Sequence, residues 1–276
     1  MILVAVLLAS LGTADLVRRR LPFSRAIWMA TAAGVLVFLL AAAGVGLAWW
    51  FTPVAVVAVA GWLAATREDT GAHRAGYWAL GSLAALIVAL VVFGPALGQP
   101  TGTLVDWYTA LPYTGLTAIP FTAFALTVGG VLFLFETANV VVRLALRGER
   151  SSSRDRRDAR NAPDAAAPPT APVTVAPPRR WWRRSRPAPV APLPSQFTEL
   201  KGGRFIGPLE RVFLLALVLT GQFTAVAAVI AAKGIVRFPE ISKDDTGGSK
   251  AEYFLVGSFA SWALVVVVAT LVALVA

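Results

Sequence analysis

Seven apolar stretches, most of them near the length of a membrane span, constrain this chain more than any other feature of its sequence. An α-helix of about 20 residues rises about 30 Å, which is the thickness of the hydrocarbon core of a bilayer. The stretches cover residues 2–17, 26–47, 53–65, 77–97, 116–146, 208–236 and 252–275. Only 14% of the residues are charged, whereas soluble domains carry about 25%. We therefore predict an all-α, polytopic transmembrane bundle of about seven spans, in which the stretch within 49–65 is the shortest.

Residues 147–203 have a different composition and divide the chain. They are rich in Arg, Pro and Ala. Residues 147–204 carry 13 Lys or Arg but only five Asp or Glu, and this excess accounts for most of the formal net charge of +10. Such a segment has too few large apolar residues to offset the entropy of ordering its backbone. We predict a disordered linker here, between an N-terminal transmembrane region at 1–146 and a two-helix transmembrane hairpin at 204–276.

One part of the linker is a compact cluster of arginines and tryptophans. Indole rings favour the headgroup region, and each arginine adds about 1 kcal/mol of attraction to an anionic membrane surface. The predicted lipid-contacting residues are Arg179, Arg180, Trp181, Trp182, Arg183, Arg184 and Arg186. We expect the bilayer and its anionic lipids as the partner; a membrane or cytoplasmic protein partner and an idle tether are the alternatives. Nucleic acid is not expected, because the tryptophans have no folded platform behind them.

The distribution of arginines predicts the orientation. Arg18, Arg19 and Arg20 follow the first stretch and Arg147 follows the fifth, and Lys and Arg accumulate on the cytoplasmic side of membrane proteins. Seven crossings then place the N-terminus outside and both the linker and the C-terminus in the cytoplasm. This orientation leaves the turn at 237–250, which contains three Lys or Arg, on the outer side, against the same rule.

Ionisable residues within or beside the apolar stretches are the candidate functional charges. An acid at the centre of a membrane helix costs roughly 2.5–3.5 kcal/mol on insertion scales and therefore needs compensation. The candidates are Asp15, Glu136, Glu210, Arg211, Lys233, Arg237 and Glu252. Two roles stay open: paired charges that fix helix register, or a polar pathway in which Glu136, Glu210 and Arg211 pass a proton or a small anion.

The C-terminal hairpin yields a geometric prediction. Lys233 and Arg237 lie one helical turn apart, and the N-terminus of the next helix favours an anion, so Glu252 is predicted to pair with one of them. Glu210 precedes Lys233 by 23 residues, which is about 34 Å along a straight helix. Glu210 is therefore predicted at the opposite membrane face from Lys233.

The residue types exclude several kinds of site. The chain has no cysteine and one histidine, His73, in a mixed-charge loop, so neither a thiolate nor a His-cluster metal centre is available. A G-x-S-x-G elbow and an H-E-x-x-H site are absent. Ser258 and Ser261 have no general base nearby and are typical of helix packing. We predict no catalytic residues, no metal and no cofactor.

Three motifs in the C-terminal region carry a family resemblance. They are G-x-x-E-R at 207–211, A-K-x-x-x-R-F at 232–238 and E-Y-F-L-x-G-S-x-x-S at 252–261. In this order they resemble a group of bacterial polytopic membrane proteins assigned only to a domain of unknown function. The resemblance covers about 70 residues and implies a bacterial plasma membrane, but no activity. The sequence favours a non-enzymatic scaffold or accessory subunit; a small transporter or channel is the alternative.

Overall fold

A computed structural model describes residues 1–20, 23–67, 73–146, 203–242 and 249–276 of the chain. All regular secondary structure in these ranges is helical. In chain order the helices are α1 Ile2–Arg20, α2 Phe23–Gly44, α3 Phe51–Ala65, α4 His73–Phe93, α5 Thr103–Thr109, α6 Thr114–Thr117, α7 Phe121–Leu146, α8 Gly203–Leu219, α9 Phe223–Ser242 and α10 Ser249–Ala273. Nearly all of the predicted linker, including the arginine and tryptophan cluster at 179–186, lies outside the described residues.

Four of these helices are long and apolar enough to cross a membrane. They contain the segments Ala26–Gly44, Ala75–Phe93, Phe121–Leu146 and Ala251–Ala273, and the apolar helix Phe51–Ala65 is shorter. Large apolar side chains such as Trp28, Leu40 and Val92 point out of the bundle. An outer surface this apolar is typical of a protein that lipid surrounds. The helical fold and the presence of helices able to span a membrane agree with the sequence prediction, whereas the number of crossings stays a prediction.

Helix α1 forms the centre of the bundle. It packs against α2, α3, α4 and α7, and side chains such as Val4 and Leu11 are fully buried. The crossing of α1 with α7 depends on glycine. Gly129 lies against the backbone of Ala5, and Gly12 lies against the backbone of Leu132, so a Cβ atom at either position would overlap its neighbour. Small residues at a crossing let two membrane helices approach closely.

The course of the helices defines two ends of the bundle. Met1, Gly46, Gly98, Pro120 and Val275 line one cavity of about 560 Å³, which places both chain termini at the same end; we call this the terminal end. At the opposite end, which we call the basic end, α1, α3, α7 and α9 finish and α2, α4, α8 and α10 begin. The predicted arrangement, with the N-terminus outside and the C-terminus in the cytoplasm, differs from this placement.

The predicted single span at 208–236 is instead a hairpin of α8 and α9. Helix α8 ends at Leu219. Gly221, two residues later, has a φ of +71°, the left-handed conformation that favours glycine. The amide of Gln222 donates to the Leu217 carbonyl at 2.8 Å, and the amide of Gly221 donates to the Val218 carbonyl at 3.0 Å. This pair of bonds is a Schellman motif, which closes a helix C-terminus. The chain then reverses, and α9 runs back towards the basic end.

The predicted fifth span at 116–146 begins later, at Phe121. Helices α5 and α6 precede it at the terminal end, and buried Tyr108 holds this segment together by donating to the carbonyls of Leu116 and Ile119. A π-helical turn at Phe133–Thr137 interrupts α7. Such turns widen the backbone, release a carbonyl from the regular ladder and are frequent at functional sites.

Candidate functional site

Charged and polar side chains in the basic half of the bundle form three neighbouring hydrogen-bonded groups, which together we call the charged belt. It joins side chains from α1, α3, α7, α8, α9 and α10. Its members are Asp15, Arg18, Arg19, Trp62, Thr66, Glu136, Asn139, Glu210, Arg211, Lys233, Ser261 and Trp262.

The first part of the belt surrounds Asp15, which is 1% exposed. One carboxylate oxygen accepts the indole N–H of Trp62 at 3.0 Å, and the other lies 2.8 Å from Arg18. Arg18 also donates to the Thr66 hydroxyl at 2.9 Å. The Thr137 hydroxyl faces Asp15 as well, although its position does not complete a hydrogen bond. Asp15 is therefore paired with Arg18, three residues further along the same helix.

The second part centres on Glu136, which is 5% exposed and lies in the π-helical turn. Arg19 of α1 forms an ion pair with its carboxylate. Asn139 donates to the same oxygen at 3.4 Å, and to the Phe135 carbonyl at 3.3 Å. Glu136 and Asn139, three residues apart, thus share one face of α7, and the cation that pairs with Glu136 comes from another helix.

Arg211 is the most enclosed cation of the belt, at 4% exposed. Its guanidinium donates to three neutral acceptors: the Asn139 side chain at 2.7 Å, the Ser261 hydroxyl at 2.8 Å and the Leu134 carbonyl at 2.9 Å. The Leu134 carbonyl belongs to the π-helical turn. Arg211 therefore donates to a carbonyl of the turn in which α7 departs from the regular α-helical hydrogen-bond pattern. It also connects α8 to both α7 and α10.

The third part links the two arms of the α8–α9 hairpin. Lys233 lies 2.8 Å from a carboxylate oxygen of Glu210, and the indole N–H of Trp262 donates to the same oxygen at 3.3 Å. The Lys233 ammonium lies 5.6 Å from the centre of the Trp262 ring, which is within the range of a cation–π interaction. The prediction that Glu210 and Lys233 lie on opposite membrane faces is wrong, because the hairpin brings them together.

The other predicted residues lie at the margin of this site or beyond the description. Arg237 is exposed one turn after Lys233, and Glu252 is exposed in the first turns of α10; the pairing of Glu252 with a cation of α9 stays a prediction. The seven arginines and tryptophans at 179–186 lie outside the described residues.

Sequence reasoning missed the aromatic and hydroxyl members of the belt. Trp62 occupies an ordinary position in an apolar helix, and Thr66 follows that helix, so nothing in their local pattern marks them as partners of Asp15 and Arg18. Trp262 directly follows the last residue of the third C-terminal motif. The hydrogen bond from its indole to Glu210 depends on how α8 and α10 pack, which the local sequence does not indicate.

The described cavities lie away from the charged belt, apart from the contact of Trp62 with one groove. The cavity of about 560 Å³ is at the terminal end, and a groove of about 820 Å³ lies between α3 and α4. Glu136, Glu210 and Arg211 line neither of them. Within the described ranges, no three His, Cys, Asp or Glu side chains are grouped as metal ligands. The charges of the belt are thus bonded to neighbouring side chains and do not line a described cavity.

Comparison with known proteins gives no relative for this chain: no protein-family model, no curated protein and no solved structure matches it.

Proposed function

We propose that the chain is an integral membrane protein without enzymatic activity, which serves as a helical scaffold or an accessory subunit of a membrane assembly. The observation that carries this proposal is the mutual bonding of the belt. Asp15, Glu136 and Arg211 are each at most 5% exposed, and each binds side chains or backbone groups of another helix. Buried charges satisfied in this way hold helices in a defined register.

The proposed role includes the predicted cationic arm. Helix α7 ends at the basic end with Leu146, and α8 begins there with Gly203. In this proposal the arginines and tryptophans at 179–186 contact anionic lipid at that end. The resemblance of the C-terminal motifs to bacterial polytopic membrane proteins supports the same assignment.

We further propose that the basic end faces the cytoplasm and that eight helices cross the membrane. The segments that meet at the terminal end, 44–52, 94–122, 219–223 and 273–276, contain none of the 25 Lys and Arg residues of the chain. With α8 and α9 counted as separate spans, the basic turn at 237–250 moves to the cytoplasmic side. The conflict with the positive-inside rule that seven spans create then disappears, and both termini lie outside.

Single-cysteine labelling tests this topology directly, because the chain has no cysteine of its own. Gln99→Cys, Gln222→Cys and Ala276→Cys should react with a membrane-impermeant maleimide on intact cells. Ser152→Cys should react only after the membrane is opened, and lipid-facing Val266→Cys should react in neither case. Protection of Gln222→Cys and Ala276→Cys on intact cells would contradict eight crossings and support seven.

A small transporter or channel is the second candidate, and one observation favours it. Asn139 bonds both Arg211 and Glu136, and Glu136 pairs with Arg19, so a polar chain runs from a buried cation to an exposed one. A proton or a small anion would use Glu136 and Arg211 along this route.

Flux measurements in proteoliposomes separate the two candidates. For a scaffold, the wild-type protein and Glu136→Gln should both leave proton and anion fluxes at the level of empty liposomes, while the substitution lowers the melting temperature. A flux that the wild type supports and Glu136→Gln abolishes, with the variant still folded, would replace the scaffold by the transporter.

A further inference from the structure

A groove between α3 and α4 lies outside the charged belt, apart from its contact with Trp62. It has a volume of about 820 Å³ and opens on the outer surface of the bundle. From Pro53 to Ala65 it extends about 18 Å along α3. Its walls include Val57, Gly61 and Ala65 of α3 and Ala75, Trp78 and Leu86 of α4.

Two arginines lie close to the basic end of this groove. Arg67 is two residues beyond the groove wall at Ala65. Arg18, which is ion-paired with Asp15, donates to the Thr66 hydroxyl at 2.9 Å, one residue beyond the same wall. Guanidinium groups bind phosphate oxygens well because they present a fork of N–H donors. Trp78 lines the groove near the same end and is largely exposed, as indoles at the headgroup level are.

We infer that the groove holds an acyl chain of an anionic phospholipid, whose phosphate lies against Arg67 and Arg18. This inference rests on the proposed insertion of the bundle in a membrane. The groove starts at the level of the arginines and its length of about 18 Å is close to one leaflet, half of a hydrocarbon core of about 30 Å. Apolar walls with a cationic rim at one end match the two parts of such a lipid.

The occupant would also contact the charged belt. Trp62 forms part of the groove, and its indole N–H donates to the buried carboxylate of Asp15 at 3.0 Å. A lipid chain in the groove therefore packs against the residue that holds Asp15 in place.

Two glycines provide a matched pair of variants. No heavy atom lies within 4 Å of a Cβ atom added at Gly61 or at Gly81, so both positions accept a larger side chain. Gly61 lines the groove, whereas Gly81 lies on α4 outside its walls. Gly61→Leu should fill the groove, and Gly81→Leu should place the same side chain in lipid.

Native mass spectrometry of the full chain, with phosphatidylglycerol or phosphatidylcholine supplied in detergent, tests the inference. The wild type and Gly81→Leu should retain a phosphatidylglycerol adduct that an equal concentration of phosphatidylcholine does not replace. Gly61→Leu should lose that adduct, and Arg67→Gln should lose the preference between the two lipids. Retention of the adduct by Gly61→Leu, equal binding of the two lipids by the wild type, or a dimer that Gly61→Leu dissociates would each overturn the inference.

The same preparation separates this inference from the proposed function. Recovery of the protein outside the membrane fraction would contradict membrane insertion itself. Recovery in the membrane fraction, with the same lipid adducts in both glycine variants, would contradict the groove site and leave the scaffold proposal intact.

Discussion

The N-terminal helices and the C-terminal hairpin are held to the bundle in different ways. Helix α1 is enclosed by α2, α3, α4 and α7, and its glycine contacts with α7 bring the two backbones together. Helix α9 has no buried side chain among its described residues 223–238. It contacts mainly α8, and the ion pair between Lys233 and Glu210 fixes it to that helix.

This difference reflects the weak hydrophobic drive between helices in lipid. Lipid tails are as apolar as leucine, so membrane helices associate through close packing and through polar bonds. Helix α1 combines close packing with the polar bonds of Asp15, Arg18 and Arg19, whereas α9 depends mainly on polar bonds. Arg211 connects the two regions, because it belongs to the hairpin and donates to a carbonyl in the π-helical turn of α7.

Loss of Arg211 should have the largest effect of any belt substitution. Arg211→Met removes the donor to the Leu134 carbonyl, Asn139 and Ser261 and leaves these acceptors buried. We expect a loss of about 3 kcal/mol or more in the free energy of unfolding, because each buried acceptor left without a donor costs about 1–3 kcal/mol. Unfolding by SDS in mixed micelles measures it.

Arg211→Lys provides the control for charge. It keeps the cation but cannot reach three acceptors in the same geometry, so an intermediate loss is expected. A variant Arg211→Met as stable as the wild type would mean that the hairpin does not depend on the belt.

The sequence identified the charges of the site but not their pairing. Asp15, Glu136, Glu210, Arg211 and Lys233 were all predicted as candidates, because an ionisable residue in an apolar stretch is costly wherever it points. Their partners follow from helix packing, which is non-local. Arg19 and Glu136, for instance, are 117 residues apart, and nothing in either helix indicates the other.

The sequence contains a signal for the α8–α9 hairpin that the prediction of a single span at 208–236 did not use. The stretch at 208–236 has 29 residues, or about 44 Å as one helix, well beyond a hydrocarbon core of about 30 Å. Gly221 lies near the middle of this stretch. A glycine followed by the polar Gln222 within an overlong stretch is a helix stop, and that interpretation would have placed Glu210 beside Lys233.

A substitution at Gly129 should test close packing in the N-terminal region. Gly129→Val places a side chain against the backbone of Ala5, and overpacking of this kind costs about 1–3 kcal/mol. Gly61→Val is the matched control, because the space around Gly61 is open, and it should unfold at the wild-type temperature. Equal melting temperatures in detergent for the two variants would contradict the close crossing of α1 and α7.

Gly221→Ala should destabilise the hairpin turn. An L-residue in the left-handed conformation costs about 1–2 kcal/mol, and φ at Gly221 is +71°. Gly234→Ala is the control: Gly234 lies within α9 with open space around it, where alanine should stabilise the helix by about 0.5–1 kcal/mol. Opposite shifts of the melting temperature are expected, whereas a shift of the same sign in both variants would contradict a turn at Gly221.

The ion pair of the hairpin should contribute the least. The side chains of Lys233 and Glu210 are 25% and 15% exposed, and an ion pair near water contributes about 0.2–1 kcal/mol. A double-mutant cycle of Lys233→Gln and Glu210→Gln should give a coupling energy in that range. Added salt should reduce it, because mobile ions screen charges that water reaches. Glu210→Gln keeps an acceptor for the indole of Trp262, so the cycle isolates the charge interaction. A coupling energy as large as the effect of Arg211→Met would mean that α9 is enclosed by a further helix or a partner chain, and that the contrast between the two regions is smaller than their packing suggests.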